Sequence, residues 1–520
     1  MTLKGFALSG LAALALSGAT ALHVPEQQQV PIGVDSKVQG LKPGKPLVDS
    51  DALQATINSK NLFARAKKLW WLAHMSKEEY NHPTRVIGSK GHLGTFLYIS
   101  QTLGTLGDYY RVWHQPFTAV TGYVSESRLV LDQSVAQHAQ PMSLTPPTKN
   151  KEPVHGNLTL VSNDGCDAGD YPALVSGNIA FIKRGTCPFG TKSELAGKAG
   201  AVAAVVYNYE DGPVAGTLGE PSRHHVATFG LPGEDARPFV QRLQAGETIP
   251  SIAYVDSVVD QIVTRNIVAQ TTQGDPENCV MLGGHSDSVD AGPGINDDGS
   301  GSLTLLEIAV NLANFTVNNC VRFAWWSAEE EGLLGSYHYV KSLSAEENRK
   351  IRLFMDYDML ASPNFAYQIY DARNDEHPVG SQELRDFYVD WYTRQGLNYT
   401  FIPFDGRSDY DGFIRGGIPA GGIATGAEGV KTVEEAAMFG GEDGVPYDVC
   451  YHELCDNLQN LNLTAWEVNS KLVAHSVATF ARSFEGFPKR AVDDITLAAS
   501  SAKHDAYEKK AKYRGSKLFI

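Results

Sequence analysis

The feature that most constrains this chain begins near Asn266, where apolar runs ending in glycine or polar residues alternate with stretches of helical period. Cys279-Val280-Met281-Leu282 leads into Gly283-Gly284, 321–326 into Ser327, 351–355 into Asp356, and 418–424 into Gly426. Apolar runs of this length, interrupted at most by Arg322 and Arg352, mark strands covered on both faces. Leu303, Leu306, Val310 and Ala313 follow Asp298 at helical spacing, and a second helical period runs from Trp466 through Val473 and Val477 to Phe480. The alternation predicts an α/β fold with a mostly parallel sheet flanked by helices on both faces. Ligands of such sheets sit beyond the carboxyl ends of the strands, so chemistry is sought there.

At 520 residues the chain exceeds one ordinary domain. Residues 1–21 carry Lys4, an apolar core and a small-residue end at Ala19-Thr20-Ala21, the pattern of a signal peptide. Residues 22–50 lack periodicity and read as a mobile or removable pro-segment. Over 51–151 a helical opening on Leu53, Ile57, Ala64, Leu69 and Leu72 precedes a short strand over 117–124, and 145–151 reads as a linker. A smaller βαβ-like unit spans 152–265, with strands over 178–182 and 201–207 around a helix over 189–198. The α/β unit fills 266–488, and 489–520, opening on Lys489-Arg490, reads as a solvated tail.

Asp and Glu number 59 against 44 Lys and Arg, a net charge of −15 without any basic block, which argues against nucleic-acid binding. No later apolar stretch is long enough to span a membrane. Six cysteines suit an oxidising compartment, although six thiols allow 15 pairings. Sequons at Asn157, Asn314, Asn398 and Asn462 point the same way, each a glycan acceptor only if exposed. A secreted or vacuolar destination is therefore expected.

Five loops at the predicted strand ends carry metal-ligating side chains: Gly284-His285-Ser286-Asp287, Asn296-Asp297-Asp298, Glu329-Glu330-Glu331, Asp356-Tyr357-Asp358 and Cys450-Tyr451-His452. Singly each is ordinary loop polarity. Gathered at one edge, imidazoles and carboxylates form a donor set for zinc, and two histidines with three carboxylates suit two ions sharing a carboxylate. Other motifs fail on spacing. His452-Glu453-Leu454-Cys455-Asp456 has Asp456 where a single-zinc protease helix needs histidine, and the glycine-rich 292–301 lacks the Gly-Lys-Ser/Thr ending of a phosphate loop. Gly284-His285-Ser286-Asp287-Ser288 ends in serine where a nucleophile elbow needs glycine, leaving a serine hydrolase as a minor alternative.

The series His285-Ser286-Asp287, Asn296-Asp297-Asp298-Gly299-Ser300-Gly301, Phe323-Ala324-Trp325-Trp326-Ser327-Ala328-Glu329-Glu330, Asp356-Tyr357-Asp358-Met359 and Cys450-Tyr451-His452, with Gly406-Arg407-Ser408-Asp409, resembles the co-catalytic zinc aminopeptidases of the aminopeptidase Y type. Phe181-Ile182-Lys183-Arg184-Gly185-Thr186-Cys187-Pro188-Phe189 resembles the protease-associated domain inserted in that family. The resemblance implies a zinc exopeptidase fold and two zinc ions, one on His285 and Asp358, the other on Glu330 and His452, with Asp297 bridging. It implies Glu329 as the base acting on a metal-bridging water, Asp287 as a carboxylate behind His285, and Tyr451 and Arg407 as holders of the scissile carbonyl oxygen. The run Glu329-Glu330-Glu331 leaves base and ligand ambiguous by spacing; the family register selects them.

The expected disulfides are Cys450 with Cys455 around the ligand loop, Cys166 with Cys187 in the smaller unit, and Cys279 with Cys320 between neighbouring strands; reduced, buried pairs are the alternative. An acidic metal site suits a terminal ammonium, whereas a C-terminal carboxylate calls for a cationic clamp, and only Arg407 is obvious near the motifs. The expected substrates are therefore peptides with a free N-terminus, acted on by a chain expected to be a monomer. A non-catalytic receptor-like ectodomain on the same fold and a single-zinc glutaminyl cyclase relative are the competing readings.

Overall fold

The computed structural model describes residues 44–490 apart from 210, 213, 215 and 220. The signal peptide over 1–21, most of the expected pro-segment and the tail from 491 lie outside the described residues.

Four parallel strands occupy the middle of the larger sheet, in the order Ala420–Ala424, Ile351–Tyr357, Asp275–His285 and Asn319–Trp326. Antiparallel neighbours flank them, Gln368–Tyr370 on one side and Pro250–Thr271 on the other. Successive side chains of a strand point to opposite faces, and both faces are covered here. Val280 and Leu282 pack with Leu303 and Leu306 of the helix Gly299–Leu312 and with Val473 and Val477 of the helix Leu463–Arg482. Met281 faces the other way, against Trp326, Phe354 and Phe413. At about 1.5–3 kcal/mol for each large apolar side chain fully buried, these two layers hold the strand ends rigidly. Gly301 lets the helix Gly299–Leu312 start against the strand Ile351–Tyr357, since a Cβ there would collide with the Tyr357 carbonyl.

The short strand expected over 117–124 is the middle of a 22-residue strand, Tyr110–Leu131, paired antiparallel with the equally long Pro250–Thr271. Such a ribbon spans about 70 Å of extended chain. Pro116, which weakens the strand pattern in the sequence, is tolerated because Tyr110–Leu131 is an edge strand. Pro250–Thr271 joins the two units. Its first residues pair with Val154–Leu160 of the smaller unit and its last with Asn319–Trp326 of the larger sheet.

The smaller unit holds four parallel strands, Val154–Leu160, Ile179–Lys183, Ala203–Tyr207 and Thr228–Leu231, with helices Phe189–Lys198 and Gly233–Gln244. The segment 145–151 is not a free linker: Thr145 and Thr148 are buried, Thr148 donates its N–H to the Val255 carbonyl, and Ser257 donates to the Thr145 carbonyl.

Three more expectations need correction. The helical opening is broken into Ser50–Gln54 and Ser59–Ala73, and Ala64 is exposed while Leu62 and Ala66 take the inner face. The end of the expected pro-segment belongs to the body of the larger α/β unit, because Val48 is fully buried and Pro46 and Val48 exchange hydrogen bonds with Thr316. Arg490 is not solvated tail; its guanidinium donates to the carbonyls of Asn348, Ile351 and Gly417. Disulfides join Cys166 to Cys187, Cys279 to Cys320 and Cys450 to Cys455. No helix among the described residues is long and apolar enough to cross a membrane.

Candidate metal centre

The carboxyl ends of the parallel strands converge on one cleft. His285 ends the strand Asp275–His285, Glu329 and Glu330 follow Asn319–Trp326, and Asp358 follows Ile351–Tyr357. Asp297 precedes the helix Gly299–Leu312, and Tyr451 and His452 lie in the loop closed by the Cys450–Cys455 bridge.

Asp297 occupies the centre. One of its carboxylate oxygens is 3.3 Å from His285 Nε2, and the other is 3.2 Å from His452 Nε2. Around them, Asp358 Oδ1 lies 3.8 Å from His285 Nε2, and Glu330 Oε2 lies 3.1 Å from His452 Nε2. Asp298 is engaged otherwise: it caps the helix by accepting from the Gly301 N–H at 2.8 Å and from the His285 N–H at 3.0 Å. Geometry also separates the three glutamates. Glu330 faces His452, Glu329 Oε2 is 3.8 Å from His285 Nε2, and both line the cleft, whereas Glu331 does not.

Asp287 is fully buried, 3.8 Å from His285 Nδ1, and it accepts from the backbone N–H groups of Glu329 and Glu330 at 3.4 Å each. It therefore holds the glutamate turn as well as standing behind the imidazole. Tyr451 stacks on His452 with ring centroids 3.8 Å apart, and burial keeps its phenol well above the usual range, neutral and able to donate. The Arg407 guanidinium is 2.9 Å from Glu428, so this cation reaches the cleft already paired.

The electrostatics call for cations. Two imidazoles stand among Asp287, Asp297, Glu329, Glu330 and Asp358. Burial opposes charge on both rings, but the carboxylates prevail: Glu329, Asp287, Asp297 and Asp358 hold His285 well above its ordinary pKa, and Glu330 and Asp297 raise His452 to about 10. Burial pushes Glu329 well above the carboxylate range, with Asp409 and Glu330 adding to the effect and His285 opposing it. The same cause raises Asp358 to about 7. Burial would also raise Asp297, but the two histidines hold it below the carboxylate range.

Sequence reasoning missed Arg85, which is completely buried and donates to the carbonyls of Ser286, Pro293 and Gly294, tying the loop from His285 to Asp297 to the N-terminal part of the chain. A lone arginine in Thr84-Arg85-Val86 carries no sequence signal. Ser408, which donates to Asp358 at 3.1 Å, was noted only as part of a matching motif. Asp456 was noted only as the residue that spoils a metalloprotease pattern, yet it is buried beneath the site.

The cleft has a volume of about 290 Å³ and opens from these ligands onto Met359, Gln368, Tyr370, Ile402 and Tyr447. A mixed α/β sheet that gathers imidazoles and carboxylates at its carboxyl edge, in a cleft that extends onto Met359, Ile402 and Tyr370, defines a metal-dependent exopeptidase. The chain belongs to peptidase family M28: the profile of that family matches residues 266–477, and that of the PA domain matches 154–239. It is 49% identical to aminopeptidase Y of Saccharomyces cerevisiae over 456 residues, 86% of this chain and 83% of that one. Leucine aminopeptidase 2 of Trichophyton equinum is 44% identical over 452 residues, covering 86% and 89%. Among solved structures, an aminopeptidase from Aneurinibacillus sp. strain AM-1 superposes with a TM-score of 0.68 at 25% identity, covering 86% of this chain and 98% of that one. A zinc aminopeptidase from Bacillus subtilis gives 0.60 at 21% identity, covering 84% and 97%, a likeness of fold. The protein is thus a metallo-aminopeptidase.

Proposed function

We propose that the protein removes the N-terminal residue from peptides with a free amino terminus, using two zinc ions. His285 and Asp358 would hold one ion and Glu330 and His452 the other, with Asp297 offering one carboxylate oxygen to each. The observation that carries this reading is the direction of the two Asp297 oxygens, one toward each histidine. The donor set fits the metal. His285 Nε2, Glu330 Oε2 and Asp358 Oδ1 are buried without a hydrogen-bond partner, a costly arrangement for polar atoms unless they ligate something. Zinc at such a site lowers the pKa of water toward about 7 and polarises a carbonyl.

The chain supplies the rest. Glu329 takes a proton from the attacking water and passes it to the leaving amine. Tyr451 donates its hydroxyl to the scissile carbonyl oxygen as charge develops there. Arg407 stands beside it, contributing positive potential while bound to Glu428. The carboxylates of the site receive the substrate ammonium, and the pocket from Met359 to Tyr447 receives the first side chain. The expected domains follow: a smaller protease-associated unit over about 152–265, and a catalytic unit formed by about 51–151 and 266–488. Three disulfides and the exposed sequons Asn157, Asn314 and Asn398 support passage through an oxidising secretory route to the vacuole or outside the cell; Asn462 is half-buried and caps a helix.

The test uses leucyl peptides with free and with acetylated N-termini. Free leucine is expected from the former only, with release lost on chelation and restored by zinc. Equal cleavage of the acetylated peptides, or internal cuts, would contradict the exopeptidase reading.

A further inference from the structure

Asp456 takes three consecutive backbone N–H groups of the loop that carries the central carboxylate. The Ile295 N–H donates to its carbonyl at 3.1 Å, the Asn296 N–H to Oδ1 at 2.9 Å and the Asp297 N–H to Oδ2 at 3.0 Å. The same residue directly follows the Cys450–Cys455 bridge, and its own N–H donates to the Glu453 carbonyl, next to His452. Asn460 donates to both Asp456 and Asp448, and Asp448 accepts from the side chain of Asn296 and the N–H of Cys450. Both carboxylates are buried. One side of the loop therefore has its amides gathered by Asp456, while Arg85 gathers carbonyls of Pro293 and Gly294. A short loop with so many pinned groups cannot shift Asp297 without also moving the turn that bears His452.

We propose that Asp456 is a positioning residue that locks Asp297 and His452 into one body, so that the ion position made by Glu330, His452 and Asp297 keeps its full affinity only while this carboxylate is in place. The inference rests on the two-zinc reading. Its mechanism is geometric: a carboxylate accepts on both oxygens, whereas an asparagine at this position turns one acceptor into a donor aimed at an N–H. Partners behind metal ligands typically contribute about 10 to 100-fold in metal affinity or activity.

The experiment compares full-length wild type with Asp456→Asn and, as a milder break of the same network, Asn460→Ala. Zinc affinity is measured by competition with a chelator, kcat and KM on a leucyl peptide, and thermal unfolding on the zinc-free proteins. In Asp456→Asn the zinc site of Glu330, His452 and Asp297 is expected to lose about 10 to 100-fold in affinity, with kcat falling at subsaturating zinc, KM changing less than about 3-fold and added zinc restoring much of the rate. Asn460→Ala is expected to give a smaller loss at the same site, and it carries the test if Asp456→Asn does not fold. Unchanged zinc affinity in a folded variant, or a loss confined to the unfolding temperature, overturns the proposal. Wild type that binds no zinc or releases no amino acid would instead overturn the two-zinc reading, so the two failures are distinguishable.

Discussion

Glu329→Gln is expected to lower kcat by about 10²–10⁴-fold, the range typical of a positioned general base, while KM stays within about 3-fold and zinc content is unchanged. The amide keeps the size and hydrogen-bonding reach of the carboxylate but cannot accept and return a proton. Of the adjacent cleft-lining glutamates Glu329 and Glu330, Glu329 is the one that does not face His452. Steady-state kinetics on a leucyl peptide with parallel metal analysis make the check. A variant that keeps more than about a tenth of wild-type kcat would move the base to another group, because an acid-base catalyst is worth more than that factor.

The second large effect is expected at Asp297. Its two oxygens lie 3.3 and 3.2 Å from the two imidazoles, so Asp297→Asn presents an NH₂ donor to one of the proposed ions. Bound zinc is expected to fall from two per chain to one or fewer, and activity by more than the roughly 10 to 100-fold that an outer partner costs. Asp298→Asn serves as the comparison. That residue spends both oxygens on backbone N–H groups, so its replacement is expected to act mainly on the start of the helix Gly299–Leu312. Retention of two tightly bound zinc ions by Asp297→Asn would exclude the bridge.

Much of this account was legible in the residues because the central strands are buried on both faces. Val280 to Leu282 and Phe323 to Trp326 must be apolar at every position, and that left long apolar runs whose ends pointed to the cleft. The long ribbon was only partly legible. Many of its positions are exposed or half-buried, Pro116 interrupts its pattern, and pairing across 22 residues is a non-local fact. The linker at 145–151 misled for a related reason: its prolines and polar residues are those of a solvated turn, but Val255 and Ser257 give its backbone partners. At the site, residues that face the cleft fell into recognisable motifs, whereas Arg85 and Asp456 act on backbone groups far away in the chain, which leaves no local spacing to read. Spacing likewise could not divide Glu329, Glu330 and Glu331; their directions relative to His285 and His452 do.

The most direct test of the central claim is a titration of zinc into the metal-free protein, following amino-acid release and bound metal together. Saturation is expected at two zinc ions per chain, with full activity reached only as the second is bound. Saturation of both signals at one ion per chain, with no further gain on adding zinc, would contradict it.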